Sequence, residues 1–318
     1  MGPTRWSPWW GAPSPDCRAG RYARAPQCRP IPPVSLPDAW GARAREAGWN
    51  IRHGRDARRD RARLGQSRAL SATPTCHLEV LGTGRVQAVV DGRSFVLEDG
   101  REIRLPGIEV PLPPLPGETG ARAEAGAAAR AALEVMVAGQ TVELRHELAA
   151  ADRYGRILAH AYFAADGKES SAALEMIAAG FARVSAHVGG MQCAAELLGR
   201  EREARQRKVG LWGEAYYSIV GAENHAGLVA QRGQFTVAEG KVVTVRESGG
   251  MIYVNFGRRW SESLTVTIAK RNERVFAAAG VQPRSLANLR VRVRGWMEDR
   301  NGPRIEAIRP EQIEIAER

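Results

Sequence analysis

Arg93, Arg104, Tyr154 and Arg156 form a set of cationic and phenolic side chains suited to holding an anion. A guanidinium holds phosphate or carboxylate oxygens through paired N–H bonds, and a phenol adds one more polar contact. Acidic side chains accompany them at Asp91, Glu109 and Asp152, with Glu118 a little further on. Cations and carboxylates gathered at strand ends are the layout of a phosphate-handling site. Three Arg around one spot can hold a phosphate without a metal. The alternative is that Arg104 and Arg156 pair with Glu109, Asp152 or Asp91 in a closed ion network.

The elements that must position these groups are short strands and tight turns. Val86–Val90 and Phe95–Glu98 read as two strands joined through Asp91-Gly92-Arg93-Ser94, and Glu102–Ile108 reads as a third. Asp-Gly between apolar runs is a turn signal, since Gly accepts the positive φ of a tight hairpin. After the Pro-rich run 111–117, the Ala-rich stretch Glu118–Ala138 has strong helix propensity and Gly139 ends it. Strands at Thr141–Glu147 and Ile157–Phe163 flank the turn Asp152-Arg153-Tyr154-Gly155-Arg156. Helices at Ser170–Ala179 and Gln192–Lys208 follow, closed by Gly210-Leu211-Trp212. This β-β-β-α-β-β-α-α order predicts an α+β fold that is mainly β, a five-stranded OB-type barrel with added helices.

Charge would point to nucleic acid if it were spread evenly, but it is not. The chain of 318 residues carries +11, and Met1–Pro74 holds 14 Arg, no Lys and five acidic residues, a net +9 that leaves only +2 for the remainder. Its first 37 residues also hold nine of the 18 prolines, the segment holds five of the eight Trp, and no apolar period persists in it. It reads as disordered, either an RNA- or anion-binding tail or sequence upstream of the true start. It lacks the apolar core of a signal peptide, and no run anywhere reaches the roughly 18–20 apolar residues of a membrane span. Localisation and oligomeric state stay open. None of the four cysteines forms a C-x-x-C pair, which argues against zinc. Cys76 and Cys193 allow one disulfide in an oxidising compartment, or two separate buried thiols.

Residues from about Gly84 to Trp212 resemble the staphylococcal nuclease (thermonuclease) family. The resemblance rests on Val89-Val90-Asp91-Gly92, Arg104-Leu105, Ile108-Glu109-Val110-Pro111, Asp152-Arg153-Tyr154-Gly155-Arg156 with Leu158-Ala159, and Gly210-Leu211-Trp212. It implies a nuclease holding one Ca²⁺ on two carboxylates and a backbone carbonyl, with a Glu activating water and two Arg neutralising the phosphate. Carried over, the arginines are Arg104 and Arg156, Glu109 is the surviving metal ligand and the carbonyl is that of Val110. Tyr154 could contact a phosphate and Asp152 could orient its turn. The second carboxylate position is Arg93, and the general-base position is Leu112. A guanidinium about 4 Å from Ca²⁺ would repel it by roughly 8 kcal/mol at an effective dielectric of 20, and a general base contributes about 10²–10⁴-fold. The expectation is a phosphate-binding module, with nucleic acid or nucleotide as partner, no cofactor, and calcium-dependent phosphodiesterase activity lost or impaired. One alternative is an active nuclease with a rearranged site, where Glu109 and Glu118 serve and Ca²⁺ returns. The other is a structural or interaction module.

The rest of the chain predicts a linker at 218–233 and a second OB-like barrel at 234–318. Its strands are Gly240–Arg246, Ile252–Phe256, Leu264–Ile268, Leu289–Trp296 and Arg304–Ile308, with a helix near Arg271–Ala279. Arg290, Arg292 and Arg294 alternate with Val291 and Val293, which puts the three Arg on one face. With Trp260 and Tyr253 as stacking surfaces, that face predicts single-stranded nucleic acid; the alternative is a solvated sheet face. His187 reads as a loop residue.

Overall fold

The computed structural model describes residues 76–148, 151–165, 167–185 and 192–317. The readings of Met1–Pro74 and of His187 lie outside them. The described residues gather into one compact unit, a strand-rich mixed α/β structure. No helix among the described residues is long and apolar enough to cross a membrane.

The first half runs β1 (Glu79–Asp91), β2 (Ser94–Leu97), β3 (Glu102–Arg104), β4 (Ile108–Glu109), α1 (Ala121–Val137), β5 (Thr141–His146), β6 (Ile157–Leu158), β7 (His160–Ala165), β8 (Lys168–Ser171), α2 (Ala172–Ala178), β9 (Arg183–Val184) and α3 (Ala194–Arg207). Seven strands form one sheet in the order β6-β3-β2-β1-β5-β7-β8, and β4 pairs with β9 beside it. The long β1 serves two ladders, with Glu79–Arg85 on β5 and Val86–Asp91 on β2. Helix α1 buries Ala123, Gly126, Ala129, Leu133 and Val137, a stripe at helical spacing. It lies close against the β1–β2 turn. A Cβ on Gly92 would stand 2.8 Å from Cβ of Ala129, and Gly92 is absent from the positive-φ residues. Gly92 is therefore required by close approach, and the positive φ expected of it is not used. Phe95, Leu97, Ile103, Leu105, Leu144, Met176 and Ile177 fill the core between sheet and helices.

The second half runs β10 (Val220–Gly221), α4 (His225–Ala230), β11 (Phe235–Lys241), β12 (Thr244–Ser248), β13 (Met251–Asn255), β14 (Thr265–Ala269), α5 (Glu273–Ala278), β15 (Arg290–Trp296), β16 (Glu298–Asp299), β17 (Pro303–Glu306) and β18 (Ile313–Glu317). They form a four-stranded sheet, β10-β11-β15-β18, and a five-stranded sheet, β12-β13-β14-β17-β16. Where one strand was expected over Gly240–Arg246, the chain changes partner. Val242 exchanges backbone bonds with the Asn288–Leu289 segment, while the N–H of Val243 donates to Asn255. Residues 218–233, expected as a linker, supply β10 and α4, and Ala222 and Leu228 are buried in the second core.

The two halves share a small apolar cluster of Ala204 and Trp212 with Phe235 and Val237. A disulfide joins Cys76 to Cys193 across 117 residues of sequence. Of the two readings of these cysteines, the crosslink is the one found.

Candidate functional site

The β1–β2 turn presents Arg93, and Asp91 holds that turn by accepting the Arg93 backbone N–H at 2.9 Å. Arg104 closes β3, where it pairs with Ser94 of β2 and runs parallel to Leu158 of β6. Arg156 arrives on the turn before β6. Asp152 organises that turn: its Oδ1 accepts the backbone N–H groups of Tyr154 and Arg156 at 2.9 and 3.1 Å. The three guanidiniums lie near enough to one another for Arg93 and Arg156 each to disfavour charge on Arg104.

Their carboxylate partners are also here. Arg93 Nη1 meets Glu109 Oε2 at 2.5 Å, and both side chains are buried. Arg156 grips Asp152 through Nε at 2.7 Å and Nη2 at 2.6 Å, with Glu102 at 3.9 Å on its far side. Of the three, Arg104 stands furthest from a carboxylate. Its nearest carboxylate oxygen is Asp152 Oδ2 at 3.7 Å, and its buried Nε has no acceptor. Burial first, then the flanking arginines, pulls the Arg104 pKa below its ordinary value. Burial pushes against the charge on Arg156 too, but the Asp152 hydrogen bond and charge outweigh it and the pKa rises. Burial would raise the Asp152 carboxyl, yet its bonds from Arg156 and the turn amides hold it below the usual range.

Tyr154 projects from the turn, 67% exposed. Arg153 donates to its hydroxyl at 2.7 Å, and the guanidinium of Arg156 stands 5.2 Å from its ring centre.

The donor set does not fit Ca²⁺. Arg93, where the resemblance led us to expect a carboxylate, is paired with Glu109, the carboxylate expected to survive, so an internal cation occupies it. Leu112, at the general-base position, is exposed hydrocarbon. Glu118, the other base expected for a rearranged site, faces its own loop. It accepts the Leu115 N–H at 3.0 Å and pairs with Arg122. The backbone bond from Leu115 and then the Arg122 bond lower its pKa, which makes it a weaker base.

Residues 102–214 match the family described as staphylococcal nuclease homologue. The chain carries a domain of that family. No curated protein matches the chain. The nuclease-homologue stretch includes Arg104, Glu109, Asp152 and Arg156, and it begins after Arg93.

The second expected site is corrected. Arg290, Arg292 and Arg294 do share one face of β15, but that face passes from exposed at Arg290, through half-buried at Arg292, to buried against α3 at Arg294. Arg294 is 0% exposed. Its Nη1 meets both carboxylate oxygens of Glu201 on α3 at 2.9 Å, its Nη2 meets Glu314 of β18, and Arg205 joins both carboxylates. Arg292 pairs with Glu239, and Arg290 meets the same carboxylate at 2.7 Å. The period-two pattern identified the face; the acidic partners, remote in sequence, pair its three arginines and bury Arg294. Trp260 is carried by the other sheet, on the β13–β14 loop.

Sequence reasoning missed Arg183 and Glu201. Glu201 accepts the Val184 N–H at 2.5 Å, and Arg183 donates to the Phe235 carbonyl at 2.7 Å. Because β9 pairs Arg183 with Glu109 of β4, the site and the buried Arg294 pair lie on opposite sides of one short ladder. Only the i, i+4 spacing of Glu201 and Arg205 gave any signal in the sequence.

Proposed function

We propose that the nuclease-homologue domain is a non-catalytic module that binds phosphate-bearing ligands, nucleic acid foremost, through Arg104, Arg156 and Tyr154. Its frame is an OB-type barrel, and a second OB-type barrel follows it. Support for the second comes from strand pairing: β12-β13-β14 run antiparallel, β14 is parallel to β17, and β11 pairs with β15. Arg93 and Glu109 neutralise each other below the surface and take no part in ligand binding.

The observation that carries this reading is Arg104. It is flanked by two guanidiniums, stands 3.7 Å from its nearest carboxylate, and keeps a buried Nε without an acceptor. An oxyanion at this point would supply the acceptor and relieve the repulsion. Exposed Tyr154 at the rim would meet a base or sugar. The Cys76–Cys193 crosslink supports an oxidising compartment, consistent with export.

Calorimetric titration of the full chain with inorganic phosphate and with a thymidine dinucleotide at low salt tests the reading. Binding that weakens about tenfold or more in Arg104→Ala is the expected result. Absence of binding by either probe would overturn it and favour the structural or interaction module, in which the ion pairs are an end in themselves.

A further inference from the structure

We infer that the outer face of the β12-β13-β14-β17 sheet, together with the loop carrying Trp260, is a second binding site, one for single-stranded nucleic acid. It is separate from the Arg104 site and does not depend on it.

Register defines the face. Ile252, Val254, Val266, Ile268 and Ile305 point into the second core, so the alternate residues point out. One row on that side is Thr244, Asn255, Thr265 and Arg304; the next is Arg246, Tyr253, Thr267 and Glu306, with Thr265 and Thr267 themselves buried and Arg246 and Glu306 exposed. The first row is a polar ladder, with Asn255 donating to Thr244 at 3.3 Å and accepting from Thr265 at 3.1 Å. Thr244, Asn255 and Thr265 form the braced, uncharged part of that row, and Arg304 ends it with a charge. Tyr253 stands partly exposed beside it, a platform on which a base can stack.

The loop from Phe256 to Leu264 rises at the end of the sheet nearest that polar row. It is braced from within and from below. Ser263 Oγ donates to the Arg259 carbonyl at 2.9 Å. A Cβ on Gly302, in the β16–β17 turn, would lie 2.5 Å from the Trp260 carbonyl oxygen. The backbone is held, yet the Trp260 side chain is 56% exposed. A fixed backbone presenting an open indole binds a flat ring at little ordering cost.

Charge favours an anionic strand over a neutral sugar as occupant. Arg246 and Arg258 are exposed and have no carboxylate partner among the described residues. Arg304 gives one arm to Glu298 at 2.8 Å and keeps a buried Nε without an acceptor. Arg259 pairs with Glu262 at 3.1 Å, and Glu306 borders the face, so its charge is mixed at the edge and positive along Arg246 and Arg258. Two aromatics interleaved with unpaired arginines on an OB-type sheet fit a phosphate backbone with its bases turned inward.

The test is fluorescence anisotropy of the full chain with a labelled oligothymidylate about twelve nucleotides long, at low and at physiological salt. Salt-sensitive binding is expected, weakened about fivefold or more by Trp260→Ala and by Tyr253→Ala, and reduced by Arg246→Glu. Trp260 and Arg246 are exposed, so these variants keep the fold, which an unchanged melting temperature verifies. Inorganic phosphate separates the two sites: its binding should weaken about tenfold or more in Arg104→Ala and be unchanged in Trp260→Ala. No oligonucleotide binding, binding indifferent to Trp260→Ala and Arg246→Glu, or binding of a maltooligosaccharide instead would each overturn the inference.

Discussion

Arg93 Nη1 and Glu109 Oε2 are 2.5 Å apart in a buried pair, at the two positions where the resemblance to the nuclease family led us to expect metal carboxylates. The cation of this site is part of the chain. That relationship predicts how a metal could be restored. In Arg93→Asp with Leu112→Glu, two carboxylates face one another without a cation. The variant should melt below the natural protein in chelator, and Ca²⁺ at about 100 times its Kd should return about 2.7 kcal/mol. Thermal unfolding with and without Ca²⁺ reads this directly. Equal melting in both conditions would show that Glu109 and residue 93 are not aimed at a common point.

The Arg294–Glu201 pair predicts that the two halves lose stability together. Removing one member of a buried pair costs about 3–5 kcal/mol because a charge is left without its partner. Arg205 still reaches both Glu201 and Glu314, so Arg294→Met should fall near the lower end. Denaturant unfolding should show one transition shifted to lower midpoint. An early transition confined to the second half would contradict the shared interface.

His160 should set a pH limit. Its imidazole is buried in β7, and burial pushes its pKa down to about 4 from 6.5. The fold favours the neutral ring, so this contribution is complete above pH 6.5 and is lost as pH falls toward 4. The magnitude is about 3 kcal/mol. Glu314, for which burial is outweighed first by the charge of Arg294, is held at about 2 and adds its own loss below pH 4.5. Urea midpoints between pH 7 and 4 should decline in the natural protein and decline less in His160→Gln.

The Cys76–Cys193 crosslink closes a loop of 117 residues. Chain entropy alone gives about 4–5 kcal/mol for such a loop, with measured values more often about 2–4. Cys76→Ser with Cys193→Ser should lower the melting temperature to that extent while leaving phosphate binding unchanged. No shift on reduction would mean that the ends are already held by packing.

Much of the first half was legible in the sequence because its signals are local. The Ala-rich stripe of α1, the Asp152–Arg156 turn and the apolar alternation of β2 each depend on near neighbours, and they suffice to bring Arg104 and Arg156 to one place. What could not be read depends on partners distant in sequence. Arg93 was read as a spoiled metal ligand, but its pairing with Glu109 needed the position of β4. The alternation of Arg290, Arg292 and Arg294 gave their common face correctly and gave its environment wrongly, since Glu201 and Glu239 lie 93 and 53 residues from their arginines. Polar, Gly-containing 218–233 resembled a linker because short elements such as β10 and α4 carry little periodicity.

We propose that this frame no longer cleaves phosphodiesters by a calcium-dependent route. The time course of single-stranded DNA cleavage by the full chain, with Ca²⁺ and with chelator, reads this out. Identical, background cleavage is expected in both. Cleavage that requires Ca²⁺ and disappears in Arg104→Ala would contradict it.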